Sequence, residues 1–208
     1  MKILHCDIDS TVNNHWVRIQ KWSRGTSKDR IHWKAFIKKE LMKDQPLEGS
    51  REALNKLSKK YSINFLTARG FNAYGKWRII PESTYDKKFG FIALKINNFL
   101  SLIWSLFSDE KTKNKNKYAF SITKEWLDSH GFQYDTITIV DTMDDKIKIL
   151  QNTNSDLFID DMSWGQNYVG SYVNLYENTI IELDKMNIKY EIFNKENNWF
   201  NIVKKYYP

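Results

Sequence analysis

Short runs of apolar, β-favouring residues alternate along this chain with stretches of helical periodicity, and few folds accommodate that order. The runs Ile3 to Asp9, Ile63 to Leu66, Thr136 to Val140, Leu157 to Ile159 and Ile188 to Phe193 read as strands. Between and after them, Ser50 to Lys60 places Ala53, Leu54 and Leu57 on one helical face. Ser121 to His130 is a helix stopped by Gly131, Asp144 to Gln151 is another, and Trp199 to Tyr206 closes the chain. Strands feeding helices feeding strands predict right-handed βαβ units, hence an α/β fold with a Rossmann-like doubly wound, mostly parallel sheet.

Two stretches interrupt the alternation. Residues 13–46 carry Trp16, Trp22, Trp33 and Phe36 among basic residues, with Asp29 as the expected start of a helix from Arg30 to Met42. They read as a small helical cap inserted after the first strand. Residues 71–118 form a second insertion of uncertain character, containing the apolar window Phe89 to Phe107 and a lysine-rich loop from Lys111 to Lys117. Lys95, Asn97 and Asn98 interrupt that window, so a buried helix is expected and a membrane span is not. The 208 residues suit a single domain.

Composition narrows the class. With 41% hydrophobic residues the chain buries a sizeable core, which sets disorder aside. One cysteine, Cys6, supplies neither a disulfide nor a multi-cysteine zinc site, and no histidine pair has ligand spacing. Cys6 reads as a packing residue on the strand face opposite Asp7. A reducing, cytoplasmic setting is expected, since the amino terminus lacks a signal-peptide pattern. The net charge of +7 favours anionic partners without choosing among them.

In a doubly wound sheet ligands bind at the carboxyl ends of the strands, and those ends carry the informative residues. Asp7 and Asp9 lie at the carboxyl end of the first strand with Thr11 just beyond, Thr67-Ala68-Arg69 follow the second, and Asp160-Asp161 the fourth, with Lys146 or Lys148 between. This order resembles the haloacid dehalogenase (HAD) superfamily, specifically its phosphatase branch with a first motif Asp-x-Asp-x-Thr. The segment Trp126 to Phe132 also looks like the cytosolic deoxy-type 5′-nucleotidases. The resemblance runs from Ile3 to about Asp161 and leaves Phe71 to about Tyr118 uncovered.

That likeness implies an HAD-like fold and phosphoryl transfer to a carboxylate, with Asp7 as nucleophile and Asp9 as general acid and base. Thr67 would hydrogen-bond a phosphoryl oxygen. Lys146, preferred over Lys148 for its distance from Asp160, would neutralise the transferring group. Mg²⁺ is implied as cofactor, held by Asp7, the Asp9 carbonyl and Asp160, with Asp161 reaching it through water. Substrate contacts are expected from Thr11, Thr67, Ala68 and Arg69, while Arg18, Lys21, Arg24 and Lys76 would touch phosphate or lie in solvent. The substrate expected is a small phosphorylated molecule, first a nucleoside monophosphate. Alternatives are a polynucleotide 3′-phosphatase, suggested by the positive balance and the Lys111 to Lys117 loop, and a non-catalytic interaction protein using the Phe89 to Phe107 segment. A homodimer is compatible with that apolar segment.

Overall fold

Five parallel strands form the central sheet of the protein, seen in a computed structural model that describes residues 1–22, 33–69, 92–93, 95–96, 99–100, 117–164 and 174–208. In chain order the strands are β1 (Lys2–Cys6), β2 (Tyr61–Ala68), β3 (Thr136–Val140), β4 (Leu157–Asp160) and, as the last edge, β7 (Tyr190–Ile192). Their spatial order is β3-β2-β1-β4-β7. A two-stranded antiparallel ribbon, β5 (Ser163–Trp164) and β6 (Asn174–Leu175), stands apart from the sheet.

The period of two along each strand divides the core. Leu4, Cys6 and Ile8 join Ile63, Phe65, Leu157 and Ile159 on one face, covered by α3 (Ser50–Leu57), α4 (Lys117–Ser129) and the last helix, α7 (Trp199–Tyr206). Leu66 and Phe158 face the other way, onto α5 (Met143–Thr153) and α6 (Glu177–Lys185). Helices on both faces make the sheet doubly wound, as expected from the sequence. The chain runs outward from β1 through β2 to β3, then crosses back to β4 on the other side of β1. The crevice between the ends of β1 and β4 is therefore the topological switch point, where open α/β sheets bind their ligands.

Three helices stop by the same device. Gly131, Asn154 and Asn187 adopt left-handed φ of 72°, 48° and 56°. Behind α4, the Gly131 amide donates to Asp128 O at 3.1 Å and the Phe132 amide to Leu127 O at 3.2 Å. This is a Schellman ending, with Leu127 and Phe132 both in the core. Asn154 and Asn187 close α5 and α6 with the same pair of bonds.

The insertion after β1 departs from expectation. Its described part consists of α1 (Trp16–Trp22), a 3₁₀ turn (Trp33–Phe36) and a single turn, α2 (Lys38–Leu41). Over residues 33–42 no continuous helix forms, because Ile37 is extended (φ −87°, ψ 150°). Residues two apart point to nearly opposite sides of a helix, so burying both Ala35 and Ile37 requires that break. Asp29 and Arg30 lie outside the described residues, as do Arg24, Lys76 and Lys111 to Asn116. The apolar window also differs from expectation. Its described positions are helical, but Ile92, Ile96, Phe99 and Leu100 are exposed, and only Ala93 among them is buried. Among the described residues no helix is long and apolar enough to cross a membrane.

Candidate active site

The loop after β1 turns sharply. The amides of Thr11, Val12 and Asn13 all point back to the Ile8 carbonyl at 2.8–3.3 Å, and Ser10 takes a left-handed φ of 67°. A non-glycine residue in that region costs about 1 kcal/mol or more, and such residues cluster at functional sites. Beside it, the chain leaving β4 does the same at Met162 (φ 47°), whose amide donates to Asp160 Oδ1 at 2.7 Å. Both turns abut the switch point.

Asp7, Lys146, Asp160 and Asp161 converge there, all buried. Lys146 Nζ lies 2.7 Å from Asp7 Oδ1 and 2.7 Å from Asp160 Oδ2. It reaches that position because Thr142 caps α5, accepting from the Asp145 amide at 3.2 Å, and starts the helix one turn earlier. Lys148, two residues on, is exposed and pairs with Asp145. One carboxylate oxygen each from Asp7, Asp160 and Asp161 lie within 4.8 Å of one another. Ligands at about 2.1 Å in an octahedron stand about 3.0 Å apart in cis and 4.2 Å in trans, so these donors suit a small hard cation with waters completing its shell.

Charge balance points the same way. Burial, reinforced by Asp160 and Asp9, pushes the Asp7 carboxyl up to about 7 despite Lys146. Asp161 is also raised well above the ordinary range, by burial and then by Asp160 and Asp7. Burial would lower Lys146, but Asp160 and Asp7 overcome it and hold the ammonium charged. One lysine thus faces three buried carboxylates, a charge imbalance that a divalent cation would offset.

Asp9 stands apart from that cluster. Arg69 grips it with both edges of its fork, Nε to Oδ2 at 3.0 Å and Nη2 to Oδ1 at 2.9 Å, while Asn13 Nδ2 donates to Oδ1 at 3.1 Å. Burial opposes ionisation of Asp9, yet Arg69, with His15 and Arg18, holds its carboxyl well below the usual range. His15 shares a 3.2 Å hydrogen bond between its Nδ1 and Ser10 Oγ, and its ring lies 4.1 Å from that of Trp16. Burial, with Arg18 and Arg69 adding to it, keeps this imidazole neutral down to about pH 3.

Several expected roles need correction. Thr11 does not face a ligand: it is fully buried, and its hydroxyl accepts from the Asp161 amide at 3.0 Å, tying the two strand-end loops together. Arg69 turns its fork to Asp9 instead of leaving it open for a substrate phosphate. Arg18 is not solvated: it is buried against Asp44 with contacts of 2.9–3.1 Å, with its Nη2 4.0 Å from Asp9 Oδ1. The Asp9 ligand expected for the metal is its main-chain carbonyl, so the turn of the Asp9 carboxylate toward Arg69, away from the Asp7, Asp160 and Asp161 carboxylates, leaves that expectation untouched. Thr67 sits buried at the end of β2, level with Ile139 of β3, and Ala68 follows it, exposed. Cys6 is a core residue, as expected.

Residues outside the strand-end pattern complete the site. Asn13 and Asp44 brace the Asp9 loop. Trp199, at the start of the last helix, donates its indole N–H to Thr11 O at 2.8 Å across 188 residues of chain. Asn13 lies four residues after Asp9 in a tight loop, which is a usable hint; nothing local marks Trp199. Comparison of the chain with protein-family models, curated proteins and solved structures finds no match.

Proposed function

We propose that this chain is a Mg²⁺-dependent phosphomonoesterase of the haloacid dehalogenase type, acting on a nucleoside monophosphate or a similar small phosphorylated metabolite. The observation that carries this reading is the meeting of Asp7, Lys146, Asp160 and Asp161 at the switch point. Asp7 attacks phosphorus, and the leaving oxygen departs with a proton from Asp9. Water then attacks the aspartyl-phosphate, giving its proton to Asp9 and releasing inorganic phosphate. Lys146 offsets charge on the phosphoryl group and holds Asp7 in line. Arg69 favours the carboxylate form of Asp9, which is the base required in the second step, while an incoming phosphate dianion opposes the arginine and favours uptake of the proton needed in the first.

Asp7, Asp160 and Asp161 would hold Mg²⁺, which when bound offsets the repulsion between these carboxylates and the phosphate dianion. The adjoining rings of His15 and Trp16 offer aromatic surface beside the Asp9 loop, which supports a planar leaving group such as a nucleoside. The buried free thiol of Cys6 suits the reducing cytoplasm.

Phosphate release from nucleotides, sugar phosphates and 3′-phosphorylated oligonucleotides, with Mg²⁺ or with EDTA, tests the reading. Turnover is expected with Mg²⁺ on a mononucleotide, and none with EDTA or with Asp7→Asn. A metal-loaded, folded protein inert on the whole panel would remove the hydrolase reading, and preference for the oligonucleotide would move it to nucleic-acid ends.

A further inference from the structure

A carboxylate offers about four lone-pair positions, two on each oxygen. On Asp9, Oδ1 accepts from Arg69 Nη2 at 2.9 Å and Asn13 Nδ2 at 3.1 Å, with Arg18 Nη2 a further 4.0 Å away. Both of its positions are taken. Oδ2 accepts only from Arg69 Nε, at 3.0 Å, among the described residues. The side chain remains 21% exposed, although Arg69 and Asn13 are buried.

Each donor is itself held from a different element. Arg69 Nη1 donates to Thr123 Oγ1 of α4 at 2.6 Å, and that hydroxyl donates to Ala119 O at 2.6 Å. Asn13 Nδ2 is shared with Asp44 Oδ2 at 3.3 Å, and Asp44 is clamped by Arg18 of α1. The Asn13 amide has only one workable orientation, since turning it over would set its oxygen against two carboxylates. That orientation leaves Asn13 Oδ1 buried without a hydrogen-bond partner. Leaving such a group unpaired is unfavourable, so the amide keeps its hold on Asp9 and Asp44 at the expense of stability.

We infer that Arg69 and Asn13 are positioning residues for Asp9, saturating Oδ1 and leaving Oδ2 as the oxygen that exchanges a proton with substrate and water. The inference rests on the phosphatase reading. In the first step Asp7 forms a bond to phosphorus as the bond to the leaving oxygen breaks, and the proton on Asp9 Oδ2 passes to that oxygen. In the second, water oxygen bonds to phosphorus as the Asp7 oxygen leaves with its electron pair, and Oδ2 recovers a proton from the water. The net change is hydrolysis of one ester bond.

The test compares 4-nitrophenyl phosphate, whose leaving oxygen needs no proton, with glycerol 2-phosphate, whose leaving oxygen does. Wild type, Arg69→Lys and Asn13→Ala are followed from the first turnover with Mg²⁺, with melting curves as the fold check and Asp7→Asn as the control. In the two variants, nitrophenolate is expected to appear in a burst of about one equivalent at near the wild-type rate, followed by turnover slowed roughly ten- to a hundred-fold. Glycerol 2-phosphate is expected to show no burst and at least the same fall in kcat, with little change in KM. Two substitutions keep the inference exposed if one of them fails to fold.

A rise in KM with kcat unchanged on both substrates would mean that Arg69 binds phosphate instead, and equal slowing of both phases on both substrates would mean a structural role. Either result overturns the inference while wild-type turnover, lost in Asp7→Asn, keeps the phosphatase reading. Absence of wild-type turnover removes both.

Discussion

Glu40 shows how a buried acid fastens one part of the chain to another. It lies in α2, accepts from Lys21 Nζ at 3.0 Å and Trp22 Nε1 at 3.1 Å in α1, and pairs with Lys43. Burial works against its charge, but these donors, Lys43 foremost, bring its carboxyl down from 4.5 to about 2. A carboxyl depressed on folding stabilises the protein above the unfolded value and loses that contribution as pH falls through the folded one. Its share is therefore complete above about pH 4.5 and disappears toward pH 2. Both lysines are more than half exposed, which limits the effect to about 1 kcal/mol. Glu40→Gln should lower stability near neutrality by that amount and narrow the gap to wild type in acid. Urea unfolding of both proteins at about pH 6 and about pH 3 reads the difference, and an unchanged gap would contradict the assignment.

At the scale of elements, two glycines with nearly the same backbone angle make different demands. Gly131 (φ 72°) ends α4, and a Cβ there would meet nothing nearer than Arg51 Cδ at 3.9 Å. Gly49 (φ 74°) precedes α3, and a Cβ there would stand 3.2 Å from the Phe200 ring of α7. Gly131→Ala should therefore cost only the left-handed penalty of about 1 kcal/mol. Gly49→Ala adds displacement of Phe200 to that penalty, and should fall further, by about 1–3 kcal/mol in total. Denaturant midpoints measure the order of the two, and a larger loss at Gly131 would refute it. Gly131 was legible as a stop because it follows an apolar helical pattern. Asn154 and Asn187 end their helices in the same conformation, yet asparagine is also common in helices and loops, and the sequence left α6 and the β5–β6 ribbon unmarked.

For the molecule as a whole, the concentration of buried negative charge at the switch point is a liability that a bound cation would relieve. A ligand that binds only the folded state adds about 2.7 kcal/mol at a hundred times its Kd. For a chain of this length each kcal/mol moves the thermal midpoint by roughly 2–4 °C. Mg²⁺ should therefore raise the midpoint by several degrees, EDTA should reverse the gain, and Asp160→Asn should abolish most of it. Calorimetric scans with and without Mg²⁺ decide this independently of turnover, and an unmoved midpoint at saturating Mg²⁺ would count against the metal site.

What the sequence determined by itself was whatever depends on near neighbours. Strand and helix periods are local, so the α/β class, the five sheet strands and the polar residues at their carboxyl ends could all be read before any contact was known. Tertiary structure decided how those ends are used. Lys146 and Lys148 have the same chemistry two residues apart; the seating of α5 on the sheet turns one onto Asp7 and Asp160 and leaves the other in solvent. Thr11, Arg69 and Arg18 looked available for a substrate and are instead bound to Asp161, Asp9 and Asp44. Each partner lies 26 to 150 residues away. No local pattern carries such pairings, because the packing of distant elements against one core brings the groups together and the cost of burying them unpaired holds them there.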